Sequence, residues 1–209
     1  MSSPMSDVAG DPASQPFAEV IAASTQSFWG ECLEPLDLSF PPLPPLGSWV
    51  KAQDDQSGHW IYGVVSQGSM APMDSLHRAR ALGLSTQELR DQQPQIFAML
   101  KTEFQVIILG FAADRDYAYL PPRPPQIHQA IYACDASEVN RFTENLEFLR
   151  SLLSVTGIPV DELLAATIRQ CWQMRRYDRP WLVTVGRTLS ILLRDNYDQL
   201  SAIIRKIQP

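Results

Sequence analysis

The stretch Leu120-Pro121-Pro122-Arg123-Pro124-Pro125-Gln126-Ile127-His128 divides the chain into two unlike parts. Its four prolines fix φ and remove backbone donors, so neither a helix nor a central strand runs through it. Upstream, apolar residues cluster in short runs with β character. Downstream they recur every three to four residues, as on helix faces. The reading is an α+β protein, with a β-rich part followed by a helical one.

Working back from the prolines, 128–133 and 117–120 read as short β segments flanking the block, and Asp114-Arg115-Asp116 as a turn. Within 103–111 the succession Val106-Ile107-Ile108-Leu109 predicts a buried central strand. Pro94 suits the first turn of a helix over 95–100, and Ser85-Thr86-Gln87-Glu88 has capping-box spacing. Residues 74–82 read as helical and 66–73 as a loop. The strongest hairpin signal is 48–53 and 59–67 around the polar Asp54-Asp55-Gln56-Ser57-Gly58. Pro41-Pro42-Leu43-Pro44-Pro45 is an extended connector released at Gly47. Residues 17–24 and 27–33 are β-type, with Ser24-Thr25-Gln26 as the turn between them. Residues 1–15, rich in Ser, Pro, Ala and Asp, read as a disordered lead-in.

Past the prolines, Val139, Phe142, Leu146, Leu149 and Leu153 fall on one face of a first helix, which Gly157 and Pro159 break. Leu164, Ile168, Cys171 and Trp172 line a second, stopping near Asp178-Arg179-Pro180. Leu182, Val185, Leu189 and Leu192 make a third stripe, and Leu200, Ile203, Ile204 and Ile207 a short fourth. Short breaks between them predict a compact bundle.

Charge is unevenly placed: residues 1–136 hold 7 Lys/Arg against 15 Asp/Glu, and residues 137–209 hold 10 against 8. Phosphate affinity comes from cations, so any nucleic-acid binding belongs to the helical end. Cys32, Cys134 and Cys171 are odd in number and widely spaced, which fits neither a disulfide framework nor a zinc site. His59, His77 and His128 show no HxH, HxxxH or HExxH spacing, and Ser27, Ser69 and Ser75 lack a GxSxG setting. We therefore expect no catalytic, cofactor or metal site, and no enzyme. The N-terminus lacks the basic start and apolar core of a signal peptide, and the longest apolar stretch, 104–113, is too short to span a bilayer. A cytoplasmic protein with no membrane partner is expected.

Several ordered features carry a family resemblance: Phe17-Ala18-Glu19-Val20-Ile21, Gly47-Ser48-Trp49-Val50, Ile61-Tyr62-Gly63-Val64-Val65, the run from Pro94 through Phe104 into 106–110, and Pro121-Pro122-Arg123-Pro124-Pro125. Together they resemble the HAS barrel, the small β-barrel of HerA-type DNA translocases and of the ATP synthase α and β subunits. The whole chain is similar to uncharacterised stand-alone HAS-barrel proteins of cyanobacteria. The resemblance implies a small β-barrel with inserted helices over residues 16–134, followed by a C-terminal helical bundle over 135–209. It departs from the translocases in one respect: Lys101 and Lys206 are the only lysines beyond residue 51, and neither follows a Gly-rich phosphate loop, so no ATPase core is expected. Such barrels form collars in hexameric relatives, so the resemblance implies a non-enzymatic assembly or adaptor protein acting on a protein partner or on itself.

Two segments are candidate partner sites. Arg123 sits in the proline block, which reads either as a rigid docking strip or as a plain linker. The sharper one is Trp172-Gln173-Met174-Arg175-Arg176-Tyr177-Asp178-Arg179-Pro180-Trp181, with Arg187 beyond it. Arg175, Arg176, Arg179 and Arg187 among aromatics suit an acidic protein surface or, as the alternative function, nucleic acid. The plain structural alternative puts the arginines in a last helical turn, offsetting the helix dipole, with Trp172 and Trp181 in the core.

Overall fold

The structure is a computed structural model that describes residues 15–35, 42–73, 81–113 and 116–207. The lead-in up to residue 14, Pro41, the expected helix over 74–80 with Ser75 and His77, and Asp114 and Arg115 of the expected turn lie outside those residues. Ala81 and Leu82 are not helical.

Seven strands form one antiparallel sheet: β1 (Ala18–Ala23), β2 (Ser27–Cys32), β3 (Trp49–Gln53), β4 (Trp60–Pro72), β5 (Leu100–Ala113), β6 (Asp116–Ala118) and β7 (Ala130–Ala133). A β2–β5 pairing closes six of them into a barrel in the order β1-β2-β5-β4-β3-β7, with β6 held outside on β5. Closing so few strands demands sharp curvature, and register shifts in β4 at Tyr62/Gly63 and Val65/Gln67 supply it. Ala18, Val20, Phe28, Val50, Ala52, Ile61, Phe104, Val106 and Ile131 fill the interior. Gly30 has to be small there, because a Cβ would lie 2.5 Å from Ile131 Cδ1 and 2.7 Å from Phe104 Cζ.

The expected loop over 66–73 is instead the far half of β4, paired with β5 from Gln67↔Gln105 to Pro72↔Leu100. The stretch reads polar because Gln67 to Met70 are exposed there, so no apolar alternation marks it. α1 (Thr86–Gln92) has the expected capping box from Ser85 and Glu88, and a 3₁₀ turn at Pro94–Met99 carries its proline in the first turn.

The helical part comprises α2 (Ala136–Phe142), α3 (Phe148–Leu153), α4 (Val160–Met174), α5 (Arg179–Leu192) and α6 (Tyr197–Ile207). The single first helix expected through 139–153 is two. Its carbonyls at 140 and 143 accept from distant side chains, Arg175 and Trp181, and Asn145 Oδ1 accepts from the Glu147 amide. Those bonds occupy the groups a continuing helix would need.

The helices lie on the outer face of β3, β4 and the middle of β5, and one apolar core joins the two parts. Trp49, Tyr62, Val64 and Leu109 project outward from the barrel among Phe142, Phe148, Leu164, Ile168, Val185 and Ile203. The Val106–Leu109 run is therefore buried on both faces: Val106 and Ile108 inward, Leu109 and the partly buried Ile107 under the helices. Trp49 packs on Phe142 and Phe148 at 5.2 and 5.7 Å between ring centroids, and its Nε1–H donates to Cys171 Sγ at 3.2 Å. Burial pushes the Cys171 thiol up to about 12 despite that bond, so it acts as an apolar packing group.

At Gly47 the barrel part closely approaches α4. The glycine's φ is +79°, and a Cβ would lie 2.6 Å from the backbone nitrogen of Thr167 in α4. Gly47→Ala is expected to cost about 3 kcal/mol, from the left-handed backbone and forced separation of α4. Gly58→Ala, with φ +71° and open space around it, should cost only about 1 kcal/mol. Urea midpoints of the two variants check the difference, and equal losses would contradict the close-approach account.

Candidate functional site

The proline block does not leave the barrel. It runs between β6 and β7, and the strand that follows it inserts between β1 and β3. Pro121 and Pro125 are buried, while Arg123 turns outward onto the β3–β4 hairpin loop. Its guanidinium hydrogen-bonds Gln56 Oε1, and its Nε lies 3.7 Å from Asp54 Oδ2. Gln129 Nε2 donates to Asp55 Oδ2 at 2.5 Å. Arg123 thus has a local structural partner and is the weaker docking candidate. Burial acts to raise the Asp54 carboxyl, but hydrogen bonds from the Ser57 hydroxyl and the Gln56 and Ser57 amides, with Arg123 nearby, outweigh it and hold it below its usual value.

The basic-aromatic segment sorts its arginines by position. Arg175, at the C-terminal cap of α4, is half-buried and committed: Nη2 donates to the Asn140 carbonyl at 2.5 Å and to Thr143 Oγ1 at 2.9 Å, and the guanidinium lies 4.9 Å from the Trp181 ring centroid. Trp181 is core and donates to the Thr143 carbonyl. Trp172 is half-buried, edge-on to Tyr177 at 5.1 Å. Arg176 and Tyr177 are consecutive residues in the left-handed region, at φ 53° and 63°, and turn the chain from α4 into α5. Two non-glycine residues in that conformation cost about 1–2 kcal/mol each.

Arg179 overturns the helix-dipole explanation for its own charge. It is the first residue of α5, capped by Asp178, and so sits at the helix end where a cation is unfavourable. From there Arg179, Val183, Arg187 and Ile191 follow one another at i, i+4 spacing, all exposed, with Val183 at 52% and Ile191 at 73%. The opposite row, Trp181, Val185, Leu189 and Leu193, is buried in the shared core. The hydroxyls between them are turned inward onto the helix backbone: Thr184 donates to the Pro180 carbonyl, Thr188 to Thr184 and Ser190 to Gly186. What protrudes is a strip of alternating guanidinium and aliphatic groups headed by Arg176 and Tyr177. Arg176, Arg179 and Arg187 form no ion pair among the described residues. The expected third stripe holds at Val185 and Leu189; Leu182 and Leu192 pack against the core half-buried, and Trp181 and Leu193 complete the inner row.

Elsewhere, a cleft of about 330 Å³ opens between β5, the start of β2 and the end of α3, lined by Gln26, Ser27, Gln105, Leu120, Ser154 and Thr156 among others. None of its described lining residues is charged. Among the described residues no cluster of His, Cys, Asp or Glu is placed to hold a metal ion, and no helix is long and apolar enough to cross a membrane. No protein-family model and no curated protein matches the chain.

Arg175→Met should lower stability by about 2 kcal/mol, through lost charge-assisted bonds to Asn140 and Thr143. Alanine at Arg176, Arg179 or Arg187 should change it by less than about 0.5 kcal/mol. Urea unfolding of the four variants separates the structural arginine from the exposed ones. Asp54 has its folded pKa below its unfolded one, so its contribution is present above the unfolded value and disappears as pH falls through the folded one. The stability gap between wild type and Asp54→Asn should accordingly be constant near neutrality and close below about pH 4. A gap that persists at pH 2 would contradict the ionic account.

Proposed function

We propose that the protein is a non-enzymatic assembly or adaptor protein of the cytoplasm that works by protein–protein contact, with the outer row of α5 as its contact surface. One observation carries this reading: Arg179, Val183, Arg187 and Ile191 form an exposed strip whose cations have, among the described residues, no ion-pair partner and play no part in ending a helix. Alternating guanidinium and aliphatic groups suit a protein surface that is both acidic and partly apolar, where a desolvated arginine contributes charge, hydrogen bonds and contact area together. The resemblance to HAS barrels, which act as collars, points the same way.

Nucleic-acid binding is the second reading, favoured by Tyr177 beside Arg176 and Arg179. It is weaker, because Arg175 is already committed, Trp172 is half-buried, and the three remaining arginines belong to a chain of net charge −6.

Light scattering after size-exclusion chromatography, on the purified protein and on the protein mixed with extract of its source cells, tests the proposal. Particles larger than the 23.5 kDa monomer are expected in at least one sample, and Arg179→Glu/Arg187→Glu should remove them. A 23.5 kDa monomer in both would contradict it. Saturable, salt-steep binding of a labelled single-stranded oligonucleotide that the same variant abolishes would favour the second reading.

A further inference from the structure

The barrel carries a feature that neither fold nor stability accounts for. Glu19 of β1 stands directly opposite Glu31 of β2, and Glu31 directly opposite Glu103 of β5. Residues paired across neighbouring strands share a face, and the inward neighbours of all three, Ala18, Val20, Cys32 and Phe104, belong to the barrel interior. The carboxylates therefore form a transverse row on the outside of the barrel. Like charges directly opposite one another destabilise a sheet. Relief among the described residues is partial: Lys101 Nζ pairs with Glu103 at 2.6 Å and lies near enough to Glu31 to feel its charge, and His128 Nδ1 lies 3.5 Å from Glu19 Oε2. Glu31, in the middle, has no ion-pair partner among the described residues. Half-buried Trp29, two residues along β2, projects on the same side.

The barrel order places this row away from the helices. β1 and β2 stand across the barrel from β4 and β3, whose outer faces the helices cover. The arginine strip faces outward from the other side of the shared core. No ion pair joins the strip to the carboxylate row among the described residues, so their charges are left to meet between chains.

We propose that the α5 strip of one copy docks on the Glu19–Glu31–Glu103 face of the next, so that the protein self-associates head to tail. The contact is heterologous, leaving each end copy one free surface of either kind, and growth proceeds to a closed ring or a filament. Guanidinium groups of Arg179 and Arg187 answer the carboxylate row, and Val183 and Ile191 reach the Trp29 ring. The inference rests on the reading of α5 as a contact surface and adds its occupant.

Sedimentation velocity at low and high salt tests it with two charge reversals, Glu19→Lys/Glu31→Lys and Arg179→Glu/Arg187→Glu. Wild type should form multiples of 23.5 kDa that dissociate as salt rises. Each reversal alone should weaken association about tenfold or more. Mixing the two reversed proteins should restore it, since the lysine face of one then meets the glutamate strip of the other. Restoration on mixing also excludes misfolding as the cause of either loss. Glu31→Lys alone should raise the thermal midpoint while weakening association, because it sets a cation between two carboxylates. Association lost in the α5 variant but intact in Glu19→Lys/Glu31→Lys would overturn the head-to-tail pairing and leave α5 as a contact surface for another partner. Wild type monomeric at about 100 μM and low salt, where charge contacts are strongest, would overturn self-docking outright. So would an α5 strip that binds only an oligonucleotide.

Discussion

Trp49 sits on the outside of a six-stranded barrel, where a large apolar ring is tolerable only if something covers it. Its indole is 2% exposed, enclosed by Phe142 and Phe148, with its one donor taken by Cys171 of α4. The rest follows from that contact. α4 is pinned at Cys171 and, through the close approach of Gly47, at Thr167. The start of α2 is pinned beside it, where Glu138 closes the capping box with Asp135, pairs with Lys51 and accepts from the Tyr62 hydroxyl at 3.3 Å. With α2 and α4 fixed on the barrel, α5 completes the core with Trp181, Val185 and Leu189, and its other row faces outward.

Charge then separates along the same architecture. Register brings three of the acidic residues of 1–136 into one row, the facing glutamates of β1, β2 and β5. Among the cations of the helical part, Arg175 staples α4 to α2 and α5, whereas Arg179 and Arg187 stand on the exposed α5 strip.

Elements with a local signal were legible in the sequence. The 48–67 hairpin, the Ser85 capping box and the buried run at 106–109 all rest on residues close together in the chain. Features that depend on long-range partners were not. The far half of β4 gives no alternation because Gln67 to Met70 are exposed on both faces, and pairing with β5 makes it a strand. The α2–α3 break is set by side chains more than thirty positions away, Arg175 and Trp181. Arg175 and Arg179 are indistinguishable as letters, yet one closes α4 and the other opens α5. The full carboxylate row is invisible along the chain: Glu19 and Glu31 face each other across the β1–β2 hairpin, but Glu103 joins them only through the long-range β2–β5 pairing.

The central claim is that barrel and helices form one cooperative unit through the core around Trp49, which is what holds the strip and the acidic row in fixed relation. Native-state hydrogen exchange across a range of denaturant tests it most directly. The account predicts that the slowest amides of β4 and α4 share one opening free energy and respond to denaturant with the same slope. Helix amides that exchange through a separate, less costly opening while the barrel stays protected would contradict it.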